Sequence, residues 1–176
     1  LQTKNDPTIE IATKWGYTYT ANFDKNAIIH EVKEHSLAKL NAQWDFSKQL
    51  LPYLKVYQIH SATIATGVLE NQAVLEQLSS LKKEHHLTIG LTTTGENQVE
   101  VLKRALDVHI EGTQVFDLFQ VTYNCLEQSL QKIHQYILLR LRQCFHLYQI
   151  LKYYQLHRNP LVFGPFDYRY YSFYYI

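Results

Sequence analysis

Methionine is absent from all 176 residues. The sequence therefore does not open at a natural start, and Leu1 reads as a cut end with more sequence upstream. Cysteine is scarce, with only Cys125 and Cys144. That excludes a disulfide framework and fits a reducing, intracellular compartment. Cys125 lies in no nucleophile signature, which argues against a thiol mechanism. No run of about 18 apolar residues occurs, so no helical membrane span is expected. No signal peptide is visible, although a cut N-terminus deprives that observation of force. Histidine numbers nine, yet the spacing of a helical zinc pair is missing. His85 and His86 are adjacent, His30 and His35 are five apart, and a zinc pair needs i, i+4. No metal is expected. His85 and His86 read instead as solvent-facing groups at a helix C-terminus, where positive charge is favoured.

Acidic residues run out towards the end. Residues 128–176 hold one, Asp167, against six Lys/Arg, whereas residues 1–127 hold 15 against 11. Nine of the 14 tyrosines also fall in the last segment. Such a shift marks a boundary near residue 130, with a domain over 1–129 and a basic, tyrosine-rich tail over 130–176. Cations and stacking aromatics suit a nucleic-acid arm. The run DYRYYSFYYI, however, shows no period of 2 or 3.6. The preferred reading is sequence not shaped to continue a domain, such as a shifted reading frame or an unspliced intron. Neither nucleic acid nor membrane is expected as a partner.

The first 129 residues do carry pattern. Short apolar runs, each ending in a polar residue, recur four times. They are Thr8 to Thr13 before Lys14, Leu54 to Ile59 before His60, Leu87 to Leu91 before Thr92 and Thr93, and Phe116 to Val121 around Gln120. Each reads as a buried strand delivering a side chain at its C-terminal end. WGYTYTANFDKN follows the first as a loop. Helical periodicity fills the gaps. Leu37, Leu40, Trp44, Ser47 and Leu51 form a stripe on a helix over 30–51, which Pro52 stops. Val74, Leu78 and Leu81 do the same over 70–85, and Val99, Leu102 and Leu106 over about 96–106. Residues 127–156 are helix-compatible. A β-α-β-α-β-α-β order with crossovers of this length demands a parallel sheet. No glycine-rich turn follows any strand, which weighs against a dinucleotide-binding sheet and favours a barrel. In an α/β barrel, Lys14, His60, Thr92, Thr93 and Gln120 would gather at one rim, where chemistry sits. At 176 residues the chain is short for eight units, which take roughly 250.

These segments resemble the aldo/keto reductases, in their plant and cyanobacterial branch. IATKWG is similar to the family's third-strand segment, where a lysine follows an apolar run. LKVYQIHSA resembles the fourth-strand segment ending in the catalytic histidine. IGLTTTG resembles the fifth, and FQVTYN the sixth, with its nicotinamide-contacting glutamine. HSLAKL matches the family's serine-leucine helix. The resemblance spans about residues 8–129 and implies an α/β fold, a partial (β/α)8 TIM barrel of about four βα units. It also implies a cytoplasmic or plastid reductase of aldehydes and ketones. NADPH, or else NADH, would supply hydride to a small-molecule carbonyl substrate. On this reading Lys14 is the lysine that lowers a tyrosine's pKa, and His60 is the histidine that orients the carbonyl. Thr92, Thr93 and Gln120 hold the nicotinamide amide. The family's aspartate and tyrosine would lie before Leu1, and its last two strands have no counterpart after residue 130. The chain is therefore expected to be incomplete and inactive. The alternative is a non-catalytic interaction module on the same barrel.

Singly, each residue has a plainer reading: a solvated lysine, a core histidine, two capping threonines, a backbone-bonded glutamine. Four consecutive strand ends together favour the site. A half-barrel leaves open edges, and a buried Lys14 lacking its carboxylate would cost about 3–5 kcal/mol. An aggregation-prone or molten chain is expected on those grounds.

Overall fold

The computed structural model describes residues 6, 8–93, 95–122, 127–133 and the backbone of 173–175. Four strands form the parallel part of its main sheet: β1 (Ile11–Trp15), β4 (Leu54–Ala62), β5 (Thr88–Thr93) and β8 (Leu118–Thr122). They lie side by side in that order, every neighbouring pair parallel. The strand order never reverses, unlike a doubly wound sheet with its switch point. Strand β9 (Phe173–Tyr175) adds antiparallel to β8.

Three helices make the crossovers: α1 (Leu37–Ser47), α2 (Gln72–His85) and α3 (Gln98–Asp107). Their inward residues are Leu40 and Trp44; Val74, Leu75, Leu78 and Leu81; Val101, Leu102, Ala105 and Leu106. All join one core with Trp15, Tyr57, Ile59, Ile89, Leu91, Phe119 and Val121. Those sheet residues share a face, since Trp15, Ile59, Leu91 and Phe119 are register partners in turn. The next residues along each strand face the other way, as the two-residue strand period requires. That second face carries the polar residues Lys14, Gln58, His60, Thr92 and Gln120, with Ala12, Val56 and Leu118 beside them. Helices on one face of an unreversed parallel sheet are compatible with part of a barrel.

The four expected strands and the first three expected helices are present, with shifted ends. The first helix starts at Leu37 rather than near His30. Glu31–Lys33 is instead strand β3, paired antiparallel with β2 (Tyr17–Tyr19). Residues 30–36 offer no apolar stripe, and the Tyr17–Tyr19 backbone supplies the competing ladder. Ser36 then caps α1 by accepting from the Lys39 amide at 3.1 Å, and Asn71 caps α2 through Val74 at 3.3 Å. Leu51, before Pro52, has already turned extended. A second hairpin, β6 (His109–Ile110) with β7 (Thr113–Gln114), was not legible in advance. Its two-residue turn needs positive φ twice, and Glu111 (50°) and Gly112 (74°) supply it.

Lys82 on α2 ties this region together. Its ammonium donates to the Gln114 and Val115 carbonyls at 2.8 and 3.3 Å and meets Asp117 Oδ1 at 2.7 Å. Of the helix expected over 127–156, only a short 3-10 turn, Ser129–Ile133, lies within the described residues. Of the remaining tail, only the backbone of Phe173–Tyr175 falls within them. Among the described residues no helix is long and apolar enough to cross a membrane.

Leu78 is fully buried between α2 and the sheet. Leu78→Ala should lower the stability read by urea denaturation by about 2–5 kcal/mol, the range for truncating a packed leucine.

Candidate functional site

Adjacent parallel strands bring Lys14 and His60 together. Lys14 on β1 is level with Gln58 on β4, and His60 lies one same-face step beyond Gln58. With strands about 4.8 Å apart and 3.3 Å of rise per residue, the two Cα atoms stand roughly 8 Å apart. His60 titrates below its ordinary value. Burial of the imidazole is the first cause, and the Lys14 ammonium and then Lys33 act in the same sense, with Glu31 opposing. Lys14 itself is exposed, so the condition for a costly buried cation is not met. Water solvates its charge, so that penalty does not arise. Among the described residues it has no hydrogen-bonded or ion-paired partner.

The end of β4 is irregular. Ile59 pairs with Leu91 and Ala62 with Thr93. His60 and Ser61 therefore oppose Thr92 alone, the count of a β-bulge. Ser61 takes φ +54°, a left-handed conformation uncommon outside glycine. The Ser61 amide donates to Thr92 Oγ1 at 2.8 Å. Thr92, expected to meet a cofactor amide, thus first pins the strand beside it, though among the described residues its hydroxyl proton has no acceptor.

Gln120 lies level with Thr92 on β8. It is buried, and its Oε1 has no partner among the described residues. Gln58 Oε1, one step deeper on β4, is in the same condition. A buried acceptor without a donor costs free energy unless a ligand completes it. Between Gln58 and β8, Gly90 lets the strands approach, since a Cβ there would sit 2.8 Å from the Leu118 carbonyl oxygen.

Thr93 does not join the others. It follows Thr92 and so faces the helices, where its hydroxyl lies 3.4 Å from Gln98 Oε1. Gln98 is a hub that sequence reasoning missed. Its Nε2 donates to the Thr122 carbonyl at 2.9 Å and to Ser129 Oγ at 3.1 Å, while its Oε1 accepts from the Thr122 amide at 3.1 Å. Thr93 therefore helps close the ends of β5 and β8 and leaves the polar face to Thr92.

Two more groups at the rim were not anticipated. The Tyr17 ring, assigned from sequence to a loop, packs on the His60 ring at 4.6 Å between centroids. His35 Nε2 lies 2.9 Å from the His60 carbonyl oxygen. A carbonyl only accepts, so the proton sits on Nε2. Burial pushes the His35 imidazole below its usual titration range, against the pull of that bond. His35 fits because residue 16 is glycine, with φ +111°. A Cβ there would stand 2.4 Å from the His35 ring. No cluster of three or more metal-ligating side chains forms among the described residues.

Both His35 and His60 favour the neutral form when folded. The unfolded chain then binds more protons, so stability rises with pH through the imidazole range. It should be fully present above about 6.5, the unperturbed value, and decline as pH falls below it. Urea melts from pH 7.5 to 5 should show this slope, and His35→Asn should reduce it. A flat profile would remove the argument from burial.

No protein-family model matches this chain, and neither a curated protein nor a solved structure is significantly similar to it.

Proposed function

We propose that this polar sheet face is part of the site of an NAD(P)H-dependent oxidoreductase of the aldo/keto reductase type, acting on aldehydes and ketones. One observation carries the reading. Lys14 and His60 lie on adjacent parallel strands, at the same end, with the buried Gln120 Oε1, unpartnered among the described residues, two strands away. His60, held neutral by burial and neighbouring cations, can donate one N–H to a carbonyl oxygen and orient it. Lys14 adds positive charge where negative charge would develop on that oxygen. Gln120 Oε1 offers an acceptor to the amide of a nicotinamide, and the Thr92 hydroxyl retains a donor for the same group. Thr93 has no part in this arrangement. The cofactor, when bound, would supply the hydride. A proton donor has to meet both Lys14 and the carbonyl oxygen, and no tyrosine hydroxyl among the described residues is hydrogen-bonded to Lys14.

NADP+ titrated into the isotopically labelled chain should perturb the side-chain amide of Gln120 and the ring of His60. Gln120→Leu should weaken that binding about five- to tenfold, the worth of one hydrogen bond to a buried group. Absence of saturable binding would discard the reading. Turnover is a separate expectation. With NADPH and a test aldehyde the purified chain should oxidise no cofactor, because no tyrosine hydroxyl among the described residues meets Lys14. Measurable oxidation would show that another group supplies the proton.

A second reading has its own observation. Phe23, Ile28 and Ile29, on the loop between β2 and β3, are 92%, 99% and 61% exposed. Such apolar exposure suits an interaction module built on the same sheet. It gains if NADP+ fails to bind.

A further inference from the structure

We propose that the segment Tyr17–His35 clamps the bulge at the end of β4, and that Lys33 is its positioning residue, setting the direction in which His60 leaves the sheet. The consequence for catalysis rests on reading His60 as the group that faces a carbonyl. The clamp itself does not.

The bulge needs support. Ser61 is not glycine, yet it holds φ +54°. Non-glycine residues persist there only where their surroundings over-determine them. Three hydrogen bonds do so here, each to a backbone group flanking the strained residue. His35 Nε2–H donates to the His60 carbonyl at 2.9 Å. The Ser61 amide donates to Thr92 Oγ1 at 2.8 Å. Lys33 Nζ donates to the Ser61 carbonyl at 2.9 Å. Two of the three come from the strand β3 and the residues just after it.

The same segment also meets the His60 side chain. Tyr17 lies against its ring, and the Lys33 ammonium stands 5.4 Å from the centre of the Tyr17 ring. One cation therefore touches both the pinned backbone and the aromatic wall. The segment is anchored in turn. Glu34 N–H donates to the Gly16 carbonyl at 2.8 Å. Gln43 on α1 accepts from the Gly16 amide at 2.7 Å and donates to the Tyr17 carbonyl at 2.8 Å. A lysine that served only solubility would have no reason to end on a carbonyl inside the bulge.

The charged and titratable groups around His60 are Lys14 from β1, Tyr17 from β2, Glu31 and Lys33 from β3, and His35. Removing Lys33 takes away one of two cations that depress the His60 pKa. A rise in that pKa is thus expected from charge alone and does not test positioning. The position of the ring and the protection of the Ser61 amide do.

The experiment uses the full chain with labelled histidine and backbone nitrogen, followed by NMR. In the unmodified protein the His60 ring protons should be shifted upfield by Tyr17. Lys33→Met keeps the apolar stem and removes the donor. It should abolish that upfield shift and speed exchange of the Ser61 amide about tenfold, the scale of one hydrogen bond to a charged donor. Lys33→Arg should restore both. An unchanged ring shift and unchanged Ser61 exchange in Lys33→Met overturn the proposal. Should Lys33→Met fail to fold, Thr92 decides the matter: Thr92→Val must reproduce the loss and Thr92→Ser must not, and a valine variant with an unmoved His60 ring overturns it. NADP+ binding is measured separately, so the clamp and the cofactor reading can fail independently.

Discussion

Parallel strands cannot be joined by a tight turn, and everything here follows from how their crossovers are placed. Each passage from β1 to β4, β5 and β8 carries a helix, and all three helices land on the same side of the sheet. One face is thereby committed to apolar packing, with Trp15, Ile59, Leu91 and Phe119 aligned across four strands. The opposite face keeps Lys14, Gln58, His60, Thr92 and Gln120. Parallel direction also brings all four C-terminal ends to one rim. Neither the chemistry of the polar face nor its location needs a further cause.

Within that frame, small departures decide what each side chain does. Alternation alone separates Thr92 from Thr93, so two identical neighbours serve opposite layers. Thr93 answers to Gln98 and the closure of β5 on β8. Thr92 answers to the Ser61 amide. The bulge is what makes that second bond geometrically available, because it turns an amide out of the ladder towards a hydroxyl. Gly16 acts in the same way on the other flank, leaving the volume that the His35 ring occupies.

Much of the layer arrangement was legible from the sequence. Short apolar runs ending in a polar residue and period-3.6 stripes located β1, β4, β5, β8 and the three helices, and Leu40, Trp44, Leu78 and Leu102 fell in the core as their spacing required. What stayed hidden depended on contacts distant in the chain. Glu31–Lys33 has no strand signature of its own and becomes a strand only because Tyr17–Tyr19 lies beside it. Tyr17 and His35 reach the rim through that pairing, so no local pattern announced them. Whether Lys14 would be buried was left open by the sequence, and its place on the sheet's edge strand leaves it exposed. The Glu111–Gly112 turn did carry a local signal in its glycine, but its flanking strands are two residues each, too short for periodicity to register.

Lys82 belongs to the crossover between β4 and β5, but all three groups it meets precede β8. The chain path puts α3 next to the Thr113–Asp117 stretch, whereas the ammonium ties that stretch to α2. Local opening should follow the tether rather than the chain. Hydrogen exchange would then group the β6–β7 hairpin with the last turn of α2 as one cooperative unit, leaving α3 to fray by itself.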